Sequence, residues 1–174
     1  MSDVVIGGSG FIGRNLAGRL ERAGREVVVI DRHPDATGVF GGRFIEGDAQ
    51  DADWLAQTLG GLKVEDLYHL AANSDISAGV ADASLDFGDT LMTTAAVHYA
   101  LTRIPVQRLV FASSSAIFGV SDAPLSEVHD RAPAPVSWYG KAKLASEYVL
   151  ESLASARYDL PILIVRFPNV VGPL

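Results

Sequence analysis

Residues 7–13 read Gly7-Gly8-Ser9-Gly10-Phe11-Ile12-Gly13, between the apolar run Asp3–Gly7 (DVVIG) and a stretch, Phe11–Ala23, carrying Ile12, Leu16 and Leu20 at i, i+4 and i+8. A short β-branched run that passes through a glycine turn into a helical period is a strand followed by a helix, here ending at Gly24. The glycine spacing gives each glycine its own duty. Gly7 permits a tight turn, Gly10 lets the backbone approach a pyrophosphate, and Gly13 lets the helix pack on the strand. The helix N-terminus then offers free N–H groups and a partial positive charge to phosphates. A plain glycine turn shares this spacing, so context decides. The next apolar run, Glu26–Ile30 (EVVVI), is continuous, as in a strand buried on both faces, and Asp31 follows it, eighteen positions past Gly13. A carboxylate there accepts from both adenosine ribose hydroxyls and repels a 2′-phosphate, which favours NAD over NADP. Arg32 beside it weakens that preference slightly.

The alternation continues outward. Arg43–Glu46 reads as a strand, Asp51–Leu59 as a helix, Asp66–Leu70 as a strand and Ser84–Arg103 as the longest helical stretch; Arg108–Ala112, Tyr139–Ala156 and Pro161–Arg166 follow as strand, helix and strand. Arg32–Gly42 and Ser121–Val136 carry the prolines and glycines of loops. Such alternation implies right-handed crossovers and an α/β fold, a doubly wound parallel sheet of Rossmann-like type. The 174 residues amount to one domain. The absence of cysteine removes disulfides, thiolate metal sites and thiol nucleophiles, and no metal site is expected. A net charge of -7 argues against nucleic acid as a partner. No apolar run reaches the ~18–20 residues of a membrane span. Met1-Ser2-Asp3 leads straight into a strand without a basic leader, so a cytoplasmic location is the expectation.

The G-x-x-G-x-x-G spacing resembles the short-chain dehydrogenase/reductase superfamily, in particular its extended, nucleotide-sugar-modifying epimerase and dehydratase branch. Gly47-Asp48-Ala49-Gln50-Asp51 is similar to the acidic pair after that branch's third strand, which implies that Asp48 and Ala49 border the adenine; a helix cap explains the aspartates alone equally well. His69-Leu70-Ala71-Ala72 is similar to the motif after the fourth strand, so Leu70, Ala71 and Ala72 are expected along the cofactor, as are Phe11, Ile12 and Ala112. Ser74, in Asn73-Ser74-Asp75, would then open the substrate side. His69 is expected to be a packed strand residue rather than a ligand.

Tyr139-Gly140-Lys141-Ala142-Lys143 places Tyr139 and Lys143 one above the other on a helix face. A phenol with a pKa of about 10 is a poor base at neutral pH, and an adjacent ammonium favours the phenolate. A packed tyrosine beside a solvated lysine is the bland alternative. Phe111-Ala112-Ser113-Ser114-Ser115-Ala116-Ile117-Phe118-Gly119 resembles the branch's serine segment and implies Ser114, 25 positions before Tyr139, as the catalytic serine, with Ser115 the one-off alternative. A serine-rich strand end can equally serve to satisfy backbone groups. Dehydratases of the branch carry Asp-Glu next, where this chain has Ser115 and Ala116. Arg166-Phe167-Pro168-Asn169-Val170-Val171-Gly172-Pro173 is similar to the segment after the sixth strand, implying Pro168 near the nicotinamide and Asn169 on the substrate's diphosphate side. Thr90 stands about where many relatives have Asn.

The resemblance thus implies an NAD-dependent nucleotide-sugar epimerase. Tyr139 would take a proton from a sugar hydroxyl through or beside Ser114, with Ser115 and Asn169 as further substrate contacts. Lys143 would lower the tyrosine's pKa and hold the nicotinamide ribose. A net nucleotide-sugar oxidoreductase and a non-catalytic dinucleotide-binding regulator are the other readings. Relatives pair their two long helices into a homodimer; Leu91, Met92 and Val97 fit an exposed pairing face and fit core packing equally. The branch's specificity segment follows the sixth strand, so residues 1–174 are expected to be a dinucleotide-binding domain lacking most of the C-terminal substrate lobe.

Overall fold

The computed structural model describes residues 1–34, 41–73, 75–120, 124–126, 132–157 and 159–172. Six strands, β1 (Ser2–Ile6), β2 (Val27–Asp31), β3 (Arg43–Glu46), β4 (Val64–His69), β5 (Arg108–Ser114) and β6 (Ile162–Phe167), form one sheet in the order β3-β2-β1-β4-β5-β6. Every neighbouring pair is parallel. The winding reverses between β1 and β4, and in open α/β sheets ligands settle in the crevice at the carboxyl ends beside such a switch point.

Strand β1 is buried along its whole length and pairs Val4, Val5 and Ile6 with Val28, Val29 and Ile30 on one side and with Leu67, Tyr68 and His69 on the other. Alternation splits its side chains between two cores. Val4 and Ile6 join Val28, Ile30, Leu67, Leu109 and Phe111 beneath helices α2 (Ala52–Gly60), α5 (Thr93–Leu101) and α6 (Trp138–Ala156). Val5 joins Val27, Val29 and Ala17 beneath α1 (Phe11–Arg22). Burial on both faces is why these strands read as continuous apolar runs.

The helix starts are set by short polar side chains. Asp51 accepts from the Trp54 N–H at the start of α2, and Ser137 accepts from the Gly140 N–H at the start of α6, each satisfying a donor that the first turn leaves free. The long stretch expected over Ser84–Arg103 is helical but not uniform: α4 (Ala83–Asp86) runs into a π-helical turn, Phe87–Met92, before α5. A short helix, α3 (Ile76–Ala81), precedes it, capped by Asp75; six residues are too few to show a helical period. Val97, one of the residues suggested for an exposed pairing face, is fully buried, because α5 lies between α2 and α6 and has two covered sides; Met92 is 54% exposed. His69 is a packed strand residue, as expected: its ring stands 5.2 Å from that of Phe111 and Nε2 lies 2.9 Å from Thr94 Oγ1. Burial, helped by the charge of Lys143, pushes its pKa down to about 3, so the imidazole is neutral. Among the described residues no helix is long and apolar enough to cross a membrane.

The packing of α1 on the sheet depends on Gly13. A Cβ there would stand 2.3 Å from the Gly7 carbonyl oxygen and 2.6 Å from the Gly8 Cα, both backbone atoms that cannot swing aside. Gly13→Ala is therefore expected to cost about 1–3 kcal/mol of stability, in the range of overpacked cores, seen as a lower urea midpoint at unchanged slope.

Candidate active site

Parallel strands deliver all their following loops to one edge, and a cleft of about 610 Å³ runs along it, within the usual range for small-molecule sites. Its wall includes Gly7, Gly10, Phe11, Ile12 and Gly13 from the glycine turn, Asp31 and Arg32 from the end of β2, and Asp48 and Ala49 from the loop after β3. Leu70, Ala71 and Ala72 follow β4, Ala112 and Ser114 belong to β5, Tyr139 and Lys143 come from α6, and Pro168 and Asn169 follow β6. The residues that the sequence suggested for a dinucleotide thus lie together on one wall. Ser115 is not on this wall; it opens the 3₁₀ turn Ser115–Phe118. Ser74 lies outside the described residues.

At the glycine end the turn is built for close approach. Gly7 has φ +80°, which a side chain would strain, and a Cβ on it would meet the Ala71 nitrogen at 2.5 Å. Gly10 differs: the nearest protein atom to a Cβ there is the Gly7 oxygen at 3.5 Å, so the fold itself tolerates a side chain and the space belongs to the cleft. Asp31 takes the Ser9 N–H on Oδ2 (3.0 Å) and the His33 N–H on Oδ1 (3.2 Å), which fixes the carboxylate while leaving further lone pairs for hydroxyl donors. Asp48 and Asp51 divide the two roles open to them. Asp51 caps α2, and Asp48, on the cleft wall, accepts from the Gln50 N–H at 2.9 Å.

At the other end Ser114 Oγ accepts from the Ala116 N–H at 3.1 Å, and it shares the cleft wall with the Tyr139 phenol, whose pKa it draws down. Gly140 lets α6 start this close to β5, since a Cβ there would stand 2.6 Å from the Ala116 oxygen. Lys143 is 2% exposed; its Nζ donates to the Ala112 carbonyl at 2.6 Å and lies 5.8 Å from the centre of the Tyr139 ring. Burial pulls the Lys143 pKa down to about 7, against the opposing pull of Glu147. Burial also pushes the Tyr139 phenol above its ordinary value, with the Ser114 hydrogen bond acting downward and the charge of Asp86 upward. The expectation that an adjacent ammonium favours phenolate is thus not what dominates in the free chain: desolvation opposes charge on both groups at once. Behind them Glu147, 1% exposed, accepts from the Ser113 hydroxyl and from Arg166 Nε (3.1 Å) and Nη2 (2.8 Å).

Asn73, in the segment expected to open the substrate side, lies on the cleft wall; Asp89 and Thr93 on that wall and the carboxylate of Asp86 behind it carried no signal that the sequence reading used. Asn73 donates from Nδ2 to Asp86 Oδ1 at 2.9 Å, and its N–H donates to Thr90 Oγ1 at 3.1 Å, so Thr90 is a buried support of the loop after β4.

Residues 4–174 match the family model described as the NAD dependent epimerase/dehydratase family. The chain belongs to this family. It is 32% identical to a UDP-glucose 4-epimerase of Streptomyces lividans over 177 residues, covering 97% of this chain and 52% of that protein. Among solved structures it is similar to MoeE5 in complex with UDP-glucose and NAD (TM-score 0.88, 32% identity, 99% of this chain and 56% of that one). It is also similar to a Thermus thermophilus UDP-glucose 4-epimerase in complex with NAD (TM-score 0.89, 31% identity, 99% and 57%). The chain spans about half the length of the curated relatives it matches. NAD is the family's cofactor, and the residues here fit it: a Gly10 cradle that the fold leaves open, a helix N-terminus facing it, and a carboxylate held at the end of β2.

Two outcomes separate these roles. Gly10→Ala is expected to unfold at the wild-type urea concentration but to bind NAD at least about tenfold more weakly by calorimetry, a loss of ~1.4 kcal/mol. For Lys143, the unfolded side chain titrates at 10.5 and the folded one at about 7. Between those values the unfolded state holds the extra proton, so folding stability rises with pH. The stability of the wild type relative to Lys143→Met should accordingly increase from pH 7 toward pH 10, measured by urea unfolding across that range.

Proposed function

We propose that the chain is an NAD-dependent nucleotide-sugar epimerase that inverts carbon 4 of a UDP-hexose through a keto-sugar, residues 1–174 forming its dinucleotide-binding domain. The observation that carries this reading is that Tyr139, one helical turn before Lys143, shares one cleft wall with Ser114 and the glycine turn. Relatives named UDP-glucose 4-epimerase, and structural neighbours holding UDP-glucose or NAD, support it.

NAD, when bound, supplies the hydride acceptor and donor. Tyr139 takes the proton from the sugar hydroxyl, and the Ser114 hydroxyl, on the same cleft wall, orients that oxygen and shares the proton. The burial that raises the phenol's pKa in the free chain makes proton removal dependent on positive charge brought to the site, which ties base strength to loading of the cleft. Lys143, fixed on the Ala112 carbonyl, presents its remaining N–H donors toward the cleft for a ribose hydroxyl. Asn169 lies on the wall where the substrate's diphosphate is expected. A homodimer belongs to the same reading, because Phe87 and Met92 on the long helix and Trp138 and Tyr148 on α6 are exposed, with the rings of Phe87 and Trp138 6.0 Å apart.

With NAD and UDP-glucose, a polypeptide that joins residues 1–174 to a substrate-binding lobe is expected to give UDP-galactose without net NADH, followed by chromatography and NADH absorbance. Tyr139→Phe should lower turnover by about 10²–10⁴ while NAD affinity stays within a few-fold. Stoichiometric NADH would assign an oxidoreductase instead, and unchanged turnover in Tyr139→Phe would remove the tyrosine from the mechanism.

A further inference from the structure

Arg32 follows Asp31 directly, and an arginine beside the end of β2 is the kind of group that accommodates an adenosine 2′-phosphate. In the structure its guanidinium is already engaged. Nη2 lies 3.0 Å from Asp89 Oδ2, while the other oxygen of Asp89 accepts from Gln50 Nε2 at 2.9 Å. Asp89 comes from a distant part of the chain, the π-helical turn Phe87–Met92, a kind of irregularity that recurs at functional sites. Arg32, Asp31, Asp48 and Asp89 all lie on the cleft wall. The pair is partly open to solvent, with side-chain exposures of 45% for Arg32 and 23% for Asp89, so it is close enough to the ligand space to govern what enters.

We propose that Asp89 is a specificity-determining residue of the dinucleotide site: by holding Arg32, with Gln50 fixing its own orientation, it withholds the guanidinium from a 2′-phosphate. NAD preference then has two separable sources. Asp31 repels the phosphate, and Asp89 removes the cation that would offset this repulsion. Asp48 adds to the negative field around the same guanidinium. This rests on the reading that the cleft takes a dinucleotide, and it goes beyond that reading by assigning the choice between two of them.

The test is calorimetric binding of NAD and of NADP to the wild type, Arg32→Ala, Asp89→Asn and the double variant, without any turnover. Asp89→Asn keeps the shape of the side chain and an oxygen for Gln50. It should strengthen NADP binding about tenfold, which is ~1.4 kcal/mol, with NAD affinity within about threefold. Arg32→Ala alone should leave NADP affinity within about twofold, since the guanidinium is already committed; this arm stands even if Asp89→Asn fails to fold. The double variant should lose the gain, showing that it comes from the freed arginine and not from removing a negative charge. The proposal is overturned if Arg32→Ala weakens NADP binding in the wild-type background. It is also overturned if Asp89→Asn shifts both dinucleotides equally or neither, or if the gain survives in the double variant. A wild type that binds neither dinucleotide would overturn the cleft reading itself and this proposal with it.

Discussion

The close approach of two backbone segments at the β1–α1 turn constrains everything else in this molecule. The Gly7 carbonyl accepts from the Gly10 N–H at 3.4 Å, and Gly13 passes so near the same oxygen that no side chain fits between them. That contact aims the N-terminus of α1 along the carboxyl edge of the sheet, with β1 at the centre of the strand order. Because every strand is parallel, the same edge receives Asp31, Asp48, Ala71, Ser114 and Pro168 from loops far apart in sequence. One steric requirement therefore places a positive helix end and a row of small residues along one crevice.

The opposite end of the crevice is organised by burial. Glu147, deep in α6, takes two hydrogen bonds from Arg166 of β6 and one from Ser113 of β5, tying the helix that carries Tyr139 and Lys143 to both strands. A buried carboxylate whose oxygens are all engaged loses much when a partner is removed, which suits it to fixing position. Lys143 and Tyr139 sit one and two turns before Glu147 on the same helix, so their geometry is inherited from that anchor. Desolvation opposes the charged form of both groups at once.

The strands and the cleft-wall glycines were legible because they answer to local rules: β-branched runs buried on two faces, a turn that only glycine permits, and polar caps at helix starts. Arg43–Glu46 is a strand with the limits expected, and Asp31 ends β2 as read. What stayed hidden depends on tertiary context. Val97 is an apolar residue on a helix, and only the presence of covering helices on both sides decides that it is core. The π-helical turn leaves the apolar spacing nearly unchanged, so its effect, bringing Asp89 to Arg32, was invisible. The depressed Lys143 pKa likewise follows from the depth at which α6 packs, which no spacing of Tyr139 and Lys143 reveals.

Whether this one crevice orients NAD from the glycine turn to the Tyr139 end is read most directly from a crystal structure of the chain with NAD. The pyrophosphate is expected against the backbone amides of residues 9–13, the adenosine beside Asp31 and Asp48, and the nicotinamide within reach of Tyr139 and Lys143. A dinucleotide bound in the reverse sense, or seated away from the carboxyl edge of the sheet, would contradict it.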